Sequence, residues 1–277
     1  MQPGVTFETK CYERDWRRLL QTNRLQQMAG RNEFAFAEKV LIINNVKDWR
    51  EVARHAGSAI EKGWLTKYYI AEDHAAEALN FFDLSREAFG KGYVYSIAEL
   101  VSIYLCRTEF LLHFAGDCIP EKPHAWIPQA LRTFDEDKSV KVANLLWNGD
   151  FAEAKSESSE ETADFFKGFG FSDQCYLVRV ADFRKPIYNH THPVSARYPE
   201  YGGELFEKRA DAWMRCHGHL RATYKHASYL HQNTPPAFGK RIQLFGQRVR
   251  RSVAWRMNLR TGGQESGAAP VADKKTP

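Results

Sequence analysis

The spacing of apolar and polar positions predicts alternating strands and helices along most of the chain. An alternating run over residues 5–9 predicts a strand, and helical spacing follows over residues 12–20. The β-branched run over residues 39–45 predicts a strand that is buried on both faces. Asp48 is a suitable N-cap for the next helix, which Gly63 would close.

The remaining pattern continues this alternation. Further helices are predicted over residues 74–82, 96–105, 123–134 and 204–217, and further strands over residues 67–71, 109–115, 140–147, 171–180 and 220–230. Ser96 and Glu99 have the spacing of a capping box. The acidic, serine-rich residues 149–164 predict a mobile loop. Strands that alternate with helices predict an α/β fold, a sandwich with a largely parallel sheet.

Composition and cysteine content are those of an ordinary globular protein. Of the 277 residues, 43% are hydrophobic and 26% charged, which excludes collagen-like, disordered and disulfide-scaffold classes. Five cysteines without Cys-x-x-Cys spacing indicate free thiols in a reducing compartment. Residues 1–4 show no apolar leader, and no segment approaches the roughly 18 apolar residues that a membrane span needs. We therefore expect a cytoplasmic protein.

The positive charge is concentrated in one C-terminal segment. Residues 239–260 carry seven cations and no anion, although the net charge of the whole chain is only +5. Residues 1–238 are therefore slightly acidic, which argues against a nucleic-acid-binding body. We expect an α/β domain over residues 1–238, a basic helix over residues 239–260 and a disordered tail over residues 261–277.

The basic segment also has an apolar face. Ile242, Phe245, Val249, Val253 and Met257 recur at steps of three or four residues, as on one side of a helix. Such a helix can lie on an anionic membrane surface with its cations among the headgroups. It can equally pack on the α/β domain with its arginines in water, and the pattern leaves both interpretations open.

Several common functional motifs are absent from the sequence. It contains no Gly-x-x-x-x-Gly-Lys-Ser/Thr phosphate loop, no Gly-x-Ser-x-Gly elbow and no Cys/His spacing of a structural zinc site. Residues 168–170 (Gly-Phe-Gly) precede a predicted strand instead of following one, which disfavours a nicotinamide dehydrogenase. His190 and His192 form a short loop pair that is typical of a protein surface.

Asp117 directly follows the predicted buried strand over residues 109–115. Open parallel sheets bind ligands beyond the carboxyl ends of their strands. A carboxylate there can coordinate a cation that neutralises a diphosphate. Capping of the turn is the alternative role for this aspartate.

Two later features also carry candidate chemistry. Glu204, Glu207 and Asp211 share one face of the predicted helix over residues 204–217. One of them could accept a proton from an attacking hydroxyl, although acidic residues in a first helical turn also offset the helix dipole. His231 ends the last predicted strand, where an imidazole can be a metal ligand or a hydrogen-bonded structural group.

The order of these parts resembles a known superfamily. A strand-end aspartate, a Gly-Gly-Glu helix start about 90 residues later and a strand-end histidine occur in this order in A-type (GT-A) nucleotide-sugar glycosyltransferases. The resemblance covers residues 4–232 and is greatest to family-2-like members. Residues 201–207 (Tyr-Gly-Gly-Glu-Leu-Phe-Glu) are similar to the Trp-Gly-Gly-Glu-x-x-Glu segment of animal galactosyl- and N-acetylgalactosaminyltransferases. Asp117 is similar to the last acidic residue of the Asp-x-Asp motif, whereas Ala115 stands where its first aspartate would fall.

The resemblance implies a single GT-A-type, Rossmann-like domain with a mostly parallel central sheet, followed by the basic helix. It implies transfer of a sugar from a nucleotide-diphosphate sugar to a hydroxyl acceptor, with inversion favoured by a carboxylate base. The implied roles are a catalytic base for Glu204, with Glu207 as second choice; donor binding for Thr9, Lys10, Arg14 and Asp117; acceptor binding for Asp173; and coordination of a divalent metal, Mn or Mg, by Asp117 and His231.

The implied pathway is the synthesis of surface polysaccharide or glycoconjugate, with a glycan, a lipid-linked glycan or a protein as acceptor. Lipid-linked acceptors favour the membrane interpretation of the basic segment, at the inner face of the membrane. Two alternatives remain. A sugar-nucleotide nucleotidyltransferase shares the core but usually has a glycine-rich first loop, here Thr-Lys-Cys-Tyr over residues 9–12. A non-catalytic nucleotide-sugar-binding protein of the same fold is the other.

Overall fold

The computed structural model describes residues 4–198 and 203–232, which form an α/β unit on one sheet. The strands are β1 (Val5–Cys11), β2 (Glu38–Ile43), β3 (Lys67–Ile70), β4 (Phe110–Ala115), β5 (Cys118–Pro120), β6 (Val140–Trp147), β7 (Ser158–Glu161), β8 (Phe165–Gly168), β9 (Cys175–Arg179) and β10 (Leu220–His231). The helices are α1 (Trp16–Gln21), α2 (Arg24–Gly30), α3 (Trp49–Glu61), α4 (Ala71–Phe81), α5 (Tyr93–Leu105), α6 (Ile127–Glu136), α7 (Phe151–Ser156), α8 (Val180–Phe183) and α9 (Phe206–Cys216), with 3-10 helices over Glu87–Gly92 and Pro193–Arg197.

The strands lie in the order β3-β2-β1-β4-β9-β6-β10-β8-β7, and β5 pairs with the end of β10. The parallel pairs are β1 with β2, β1 with β4, β2 with β3 and β6 with β10. β9 lies antiparallel between β4 and β6. Strands β1, β2, β3, β4, β6, β7 and β10 therefore point the same way, and β5, β8 and β9 point the opposite way. This arrangement confirms the predicted mostly parallel central sheet.

Helices cover both faces of the sheet because successive strand residues point to opposite sides. In β4, Leu112 packs in a core cluster with residues of α1, α2, α3 and α6. Its neighbour Leu111 packs in a second cluster with residues of α4, α5 and α9. Neither leucine is more than 1% exposed, as expected for a strand buried on both faces.

The predicted cap of α3 is confirmed. The Asp48 carboxylate accepts hydrogen bonds from the backbone N–H groups of Arg50 and Glu51, both at 3.1 Å. These bonds satisfy two of the amide donors that a helix start leaves without partners. Gly63 ends the segment at φ 71°, a conformation that glycine adopts without strain.

The predicted capping box at Ser96 is wrong. The helix begins one turn earlier, at Tyr93, because Tyr93 and Ile97 are both buried in the second core cluster. Ser96 therefore lies inside α5, where its hydroxyl accepts a hydrogen bond of 2.9 Å from the Phe206 N–H. Glu99, the other half of the predicted box, forms an ion pair with Lys10 instead.

Residues 149–164 contain a helix, α7, and a strand, β7, where the sequence predicted a mobile loop. Asp150 caps α7 by accepting a hydrogen bond of 2.9 Å from the Glu153 N–H, and β7 pairs antiparallel with β8. The predicted basic helix and tail lie outside the described residues, as do Tyr201 and Gly202 of the Gly-Gly-Glu segment. Within the described residues, no helix combines the length and apolarity that crossing a membrane requires.

Candidate functional site

A short antiparallel pairing brings Asp117 to His231. Asp117 lies in the turn between β4 and β5, and β5 runs antiparallel to the end of β10, so that Cys118 lies opposite His231. The His231 Nε2 atom is 3.0 Å from Asp117 Oδ2. A backbone bond of 2.9 Å from Gln232 N–H to the Asp117 carbonyl fixes the same corner. The two strand-end residues that the sequence singled out are therefore in direct contact.

Electrostatics keep Asp117 ionised and Cys118 neutral. Burial alone would raise the pKa of Asp117, but the hydrogen bond and charge of His231 outweigh it, so the pKa is lower than usual. Burial, together with the neighbouring Asp117, holds the pKa of the Cys118 thiol well above its usual range. The thiol lies 3.6 Å from Asp117 Oδ1 and can donate to it.

These side chains form a donor set for a divalent cation. One ligand atom from each of Asp117, Cys118 and His231 lies within 4.8 Å of the other two. Carboxylate oxygen is the ligand that Mg and Mn prefer, and imidazole binds the later first-row metals. The Asp117 carboxylate and a neutral imidazole at His231 therefore fit a divalent metal, whereas the buried thiol of Cys118 is protonated.

A second group of charges surrounds Lys10. The Lys10 ammonium is paired with the Glu99 carboxylate of α5, and its Nζ atom lies 3.6 Å from Asp173 Oδ2. Parallel pairing places Lys10 beside Ala115 at the end of β4. Asp173 reaches this edge because the Ala115 N–H donates a hydrogen bond of 2.9 Å to the Gln174 carbonyl.

The sequence did not lead us to include Glu99 among the candidate site residues. A charged residue in an otherwise apolar helix is nevertheless a signal that could have identified it. Its side chain is fully buried, and its second oxygen, Oε2, has no partner among the described residues. Burial raises the pKa of Glu99, and Lys10 opposes that rise. Burial alone would lower the pKa of Lys10, but Glu99 and Asp173 outweigh it and the pKa is raised. Lys10 is therefore a fixed cation with two carboxylate neighbours.

The two candidate bases on the acidic helix have different surroundings. The Glu204 side chain is 44% exposed and forms an ion pair of 2.6 Å with Lys208. Glu207 is half-buried, and its Oε2 atom accepts a hydrogen bond of 3.5 Å from the Asp173 N–H. Burial and the charge of Asp173 hold the pKa of Glu207 well above its usual range. Glu207, not Glu204, thus joins the group around Lys10.

Asp173 connects the two groups of charges. It is a neighbour of Lys10 and Glu207, and its charge also contributes to the raised pKa of the Cys118 thiol, after burial, Asp117 and Cys175. The candidate metal donor set and the Lys10 group therefore adjoin each other at the carboxyl edge of β1 and β4.

Thr9 and Arg14, two of the expected donor-binding residues, differ in their exposure to solvent. Thr9 is fully buried in β1, and its hydroxyl has no partner among the described residues. Arg14 is exposed in the turn after β1. The structure thus leaves Arg14 open to a ligand, whereas Thr9 has no access from the surface.

Tyr12 and Asp15 of the first loop were not singled out as candidates from the sequence. Tyr12 is 40% exposed. Burial, Asp15, Asp117 and Tyr95 all raise the pKa of its hydroxyl, so this residue lies near the candidate metal donor set. Asp15 is buried and accepts a hydrogen bond of 2.8 Å from the Tyr12 N–H. Burial, with a contribution from Asp117, raises the pKa of Asp15 to about 7. A Cβ atom at Gly116 would lie 2.8 Å from Asp15 Oδ2, so this close approach requires glycine.

The sheet and its helices have the A-type fold of nucleotide-sugar glycosyltransferases, as the sequence resemblance predicts. The solved structure of GalNAc-T7 with UDP, GalNAc and Mn²⁺ has a TM-score of 0.51 and 9% identity, covering 83% of this chain and 44% of that chain. Mouse xyloside xylosyltransferase 1 in its apo form has a TM-score of 0.48 and 14% identity, covering 84% of this chain and 100% of that chain.

A third solved structure is glucosyl-3-phosphoglycerate synthase from Mycobacterium tuberculosis with Mn²⁺, UDP and phosphoglyceric acid. Its TM-score is 0.45 at 11% identity, covering 84% of this chain and 72% of that chain. At these identities the similarity concerns the fold. No protein-family model matches the sequence. No curated protein sequence matches it either.

Proposed function

We propose that this protein transfers a sugar from a nucleotide-diphosphate sugar to a hydroxyl acceptor. The observation that carries the proposal is the joint site at the carboxyl edge of the sheet, where Asp117 and His231 adjoin the carboxylates around Lys10. Open α/β sheets bind their ligands at this edge. GalNAc-T7, whose fold is similar, is solved with UDP and Mn²⁺, which supports the same classes of ligand here.

The donor would occupy the side of the site formed by Asp117 and the first loop. A divalent metal held by Asp117 and His231 would offset the charge that develops on the diphosphate leaving group. Tyr12 and Tyr95 are both exposed, at 40% and 54%, and present aromatic faces on which a nucleobase can stack. Arg14 is an exposed cation in the same loop.

The acceptor would lie at Asp173 and Glu207. Transfer requires a base that takes the proton from the acceptor hydroxyl while its oxygen attacks the anomeric carbon. We assign this role to Glu207 because its carboxyl group is the one that contacts Asp173 within the site. Glu204 is exposed and paired with Lys208, so it becomes the second choice. A carboxylate base acting in a single displacement would invert the anomeric centre.

We also propose that the acceptor is found at a membrane surface. If residues 239–260 form the expected amphipathic helix, their seven cations would hold the enzyme at an anionic membrane, where lipid-linked glycans occur. Liposome co-sedimentation of the full chain and of a truncation ending at Gly239, at low and high salt, tests this part. Equal sedimentation of the two proteins would remove the membrane from the proposal.

A panel of nucleotide sugars, incubated with the full chain with and without Mn²⁺, tests the reaction. Slow release of nucleoside diphosphate, as the donor is hydrolysed in the absence of acceptor, is the expected result. Release of pyrophosphate when a nucleoside triphosphate and a sugar phosphate are supplied instead would identify a nucleotidyltransferase. Tight binding without turnover, with every donor and with added acceptor glycans, would identify a binding protein.

A further inference from the structure

Two histidine-containing segments meet at the end of the sheet opposite to the proposed active site. His190 and His192 belong to the loop after α8, and His217 and His219 flank Gly218 between α9 and β10. The Nε2 atoms of His190 and His217 are 3.1 Å apart. The twelve residues of β10 separate this cluster from His231, a distance on the order of 30 Å.

The hydrogen bonds of His190 place the lone pair of its neutral ring on Nε2. Its Nδ1 atom lies 3.1 Å from the Ile187 carbonyl, which can only accept, so Nδ1 carries the proton. The Nε2 atom of His190 then accepts a hydrogen bond from His217 Nε2–H, and a metal ion bound by both Nε2 atoms would take the place of that proton. A backbone carbonyl that fixes the tautomer in this way is the usual support of a metal-binding histidine.

The same cluster contains a thiol. Cys216 is exposed, directly precedes His217, and its Sγ atom lies 3.5 Å from the carbonyl of Thr191, the residue after His190. The His219 ring stacks on His217 with centroids 5.8 Å apart. Imidazole and thiolate are the ligands that zinc and similar metals prefer.

We propose that His190 and His217 bind a divalent transition-metal ion such as Zn²⁺ through their Nε2 atoms, with the Cys216 thiolate as third ligand. A separation of 3.1 Å between two nitrogen atoms fits two ligands on one ion with metal–nitrogen bonds of about 2.0–2.1 Å. Among the described residues, three ligand atoms lie within 4.8 Å of one another only at Asp117, Cys118 and His231. The ligand atoms of His190, His217 and Cys216 are therefore not all within this distance, and metal binding by all three requires the Cys216 side chain to rotate. The ion would join the loop after α8 to the end of α9.

Calorimetric titration of the tag-free full chain with Zn²⁺ tests the two histidines. The background is Asp117→Asn/His231→Ala, which removes the other candidate donor set. We expect one Zn²⁺ per chain in this background, with affinity at least tenfold lower after His190→Ala or His217→Ala. His226→Ala is the matched control because His226 is also exposed, at 49%, and its affinity should be unchanged. Loss of all Zn²⁺ binding in the background, or unchanged affinity in both histidine variants, overturns the proposal.

Co²⁺ in place of Zn²⁺ tests the thiolate. A bound thiolate gives a sulfur-to-cobalt charge-transfer absorption, which we expect to disappear with Cys216→Ser and to persist with Cys118→Ser, both in the same background. Persistence of the absorption in Cys216→Ser contradicts the assignment of Cys216. Unchanged thermal unfolding of the metal-free variants confirms that the comparison is between folded proteins.

Discussion

His231 Nε2 lies 3.0 Å from Asp117 Oδ2, although 114 residues separate the two along the chain. The same strand carries a second pair of this kind, in which His226 Nε2 lies 3.2 Å from Asp164 Oδ1. The two pairs differ in burial. The side chains of Asp117 and His231 are 27% and 16% exposed, whereas those of Asp164 and His226 are 46% and 49% exposed. A close contact between aspartate and histidine is therefore common to both pairs. Only Asp117 of the two aspartates also lies at the carboxyl edge of β4.

The first prediction concerns Asp117→Asn. The amide keeps the shape of the side chain but removes the negative charge that a divalent cation needs. We expect Mn²⁺ to increase the affinity of the native protein for a nucleoside diphosphate, and we expect this increase to fall at least tenfold in the variant. Calorimetric titrations with UDP and GDP, with and without Mn²⁺, measure it.

Asp164→Asn is the control for Asp117→Asn because it removes a carboxylate from the other Asp–His pair. It should leave the effect of Mn²⁺ unchanged. If the two variants bind UDP or GDP alike, with the Mn²⁺ effect retained in both, Asp117 is only a turn residue and does not hold the metal.

The second prediction compares Glu207→Gln with Glu204→Gln. Loss of a general base lowers turnover by about 100-fold or more, while donor affinity changes by no more than a few-fold. We expect this pattern for Glu207, which lies beside Asp173. Glu204→Gln should change turnover by a few-fold at most because Glu204 is exposed and paired with Lys208. Donor hydrolysis rates and binding titrations measure both variants. The reverse ranking would restore Glu204 as the base.

The third prediction concerns the buried ion pair between Glu99 and Lys10. Glu99→Gln removes the charge that offsets a largely buried ammonium, so we expect the free energy of unfolding to fall by about 3 kcal/mol. The double variant Lys10→Met/Glu99→Met should recover most of this loss because it removes both charges of the buried pair, and Asp173, which loses its cation, is 32% exposed to water. Urea unfolding monitored by circular dichroism measures the three proteins.

The pair of Glu204 and Lys208, whose side chains are 44% and 27% exposed, provides the control for this buried ion pair. Glu204→Gln should change the free energy of unfolding by less than about 1 kcal/mol. A loss of similar size in Glu99→Gln would mean that Asp173, 3.6 Å from Lys10, compensates the ammonium without Glu99.

Local signals were enough to predict most elements and the strand-end candidates. The apolar run of β4 ends at Ala115, so Asp117 had to lie just beyond a buried strand. Asp48 was recognisable as a cap because the capping contact involves residues two and three positions later. Each of these features depends on neighbours in the sequence, and sequence periodicity reports such neighbours directly.

Contacts between distant residues could not be predicted in this way. Glu99 fits a capping box with Ser96 by spacing, but its partner is Lys10, 89 residues earlier. The choice between Glu204 and Glu207 depends on Asp173, 34 residues before Glu207. The spacing of the acidic helix treats both glutamates alike, so only the packing of α9 against the loop before β9 distinguishes them.

The last prediction concerns Asp15, whose buried carboxyl group titrates near neutral pH. Burial raises its pKa in the folded protein to about 7, from 3.8 for an ordinary aspartate. Near pH 4 the group is protonated in the folded protein and about half ionised in the unfolded chain, so it costs less than about 1 kcal/mol. As the pH rises towards 7, the unfolded chain loses this proton before the folded protein does, so the folded state becomes less favoured. Asp15→Asn cannot ionise, and its amide oxygen can still accept the Tyr12 N–H.

We therefore expect Asp15→Asn to be more stable than the native protein at pH 8, by on the order of 2–4 kcal/mol, and to differ from it by less than about 1 kcal/mol near pH 4. Urea unfolding at pH 4, 6 and 8 measures the difference. Asp83→Asn is the control because Asp83 is exposed and its φ of 53° is one that asparagine tolerates. Its stability should follow the native protein at every pH. If Asp15→Asn follows it too, the carboxylate of Asp15 is ionised at neutral pH without a cost in stability, and burial beside Asp117 does not set its pKa.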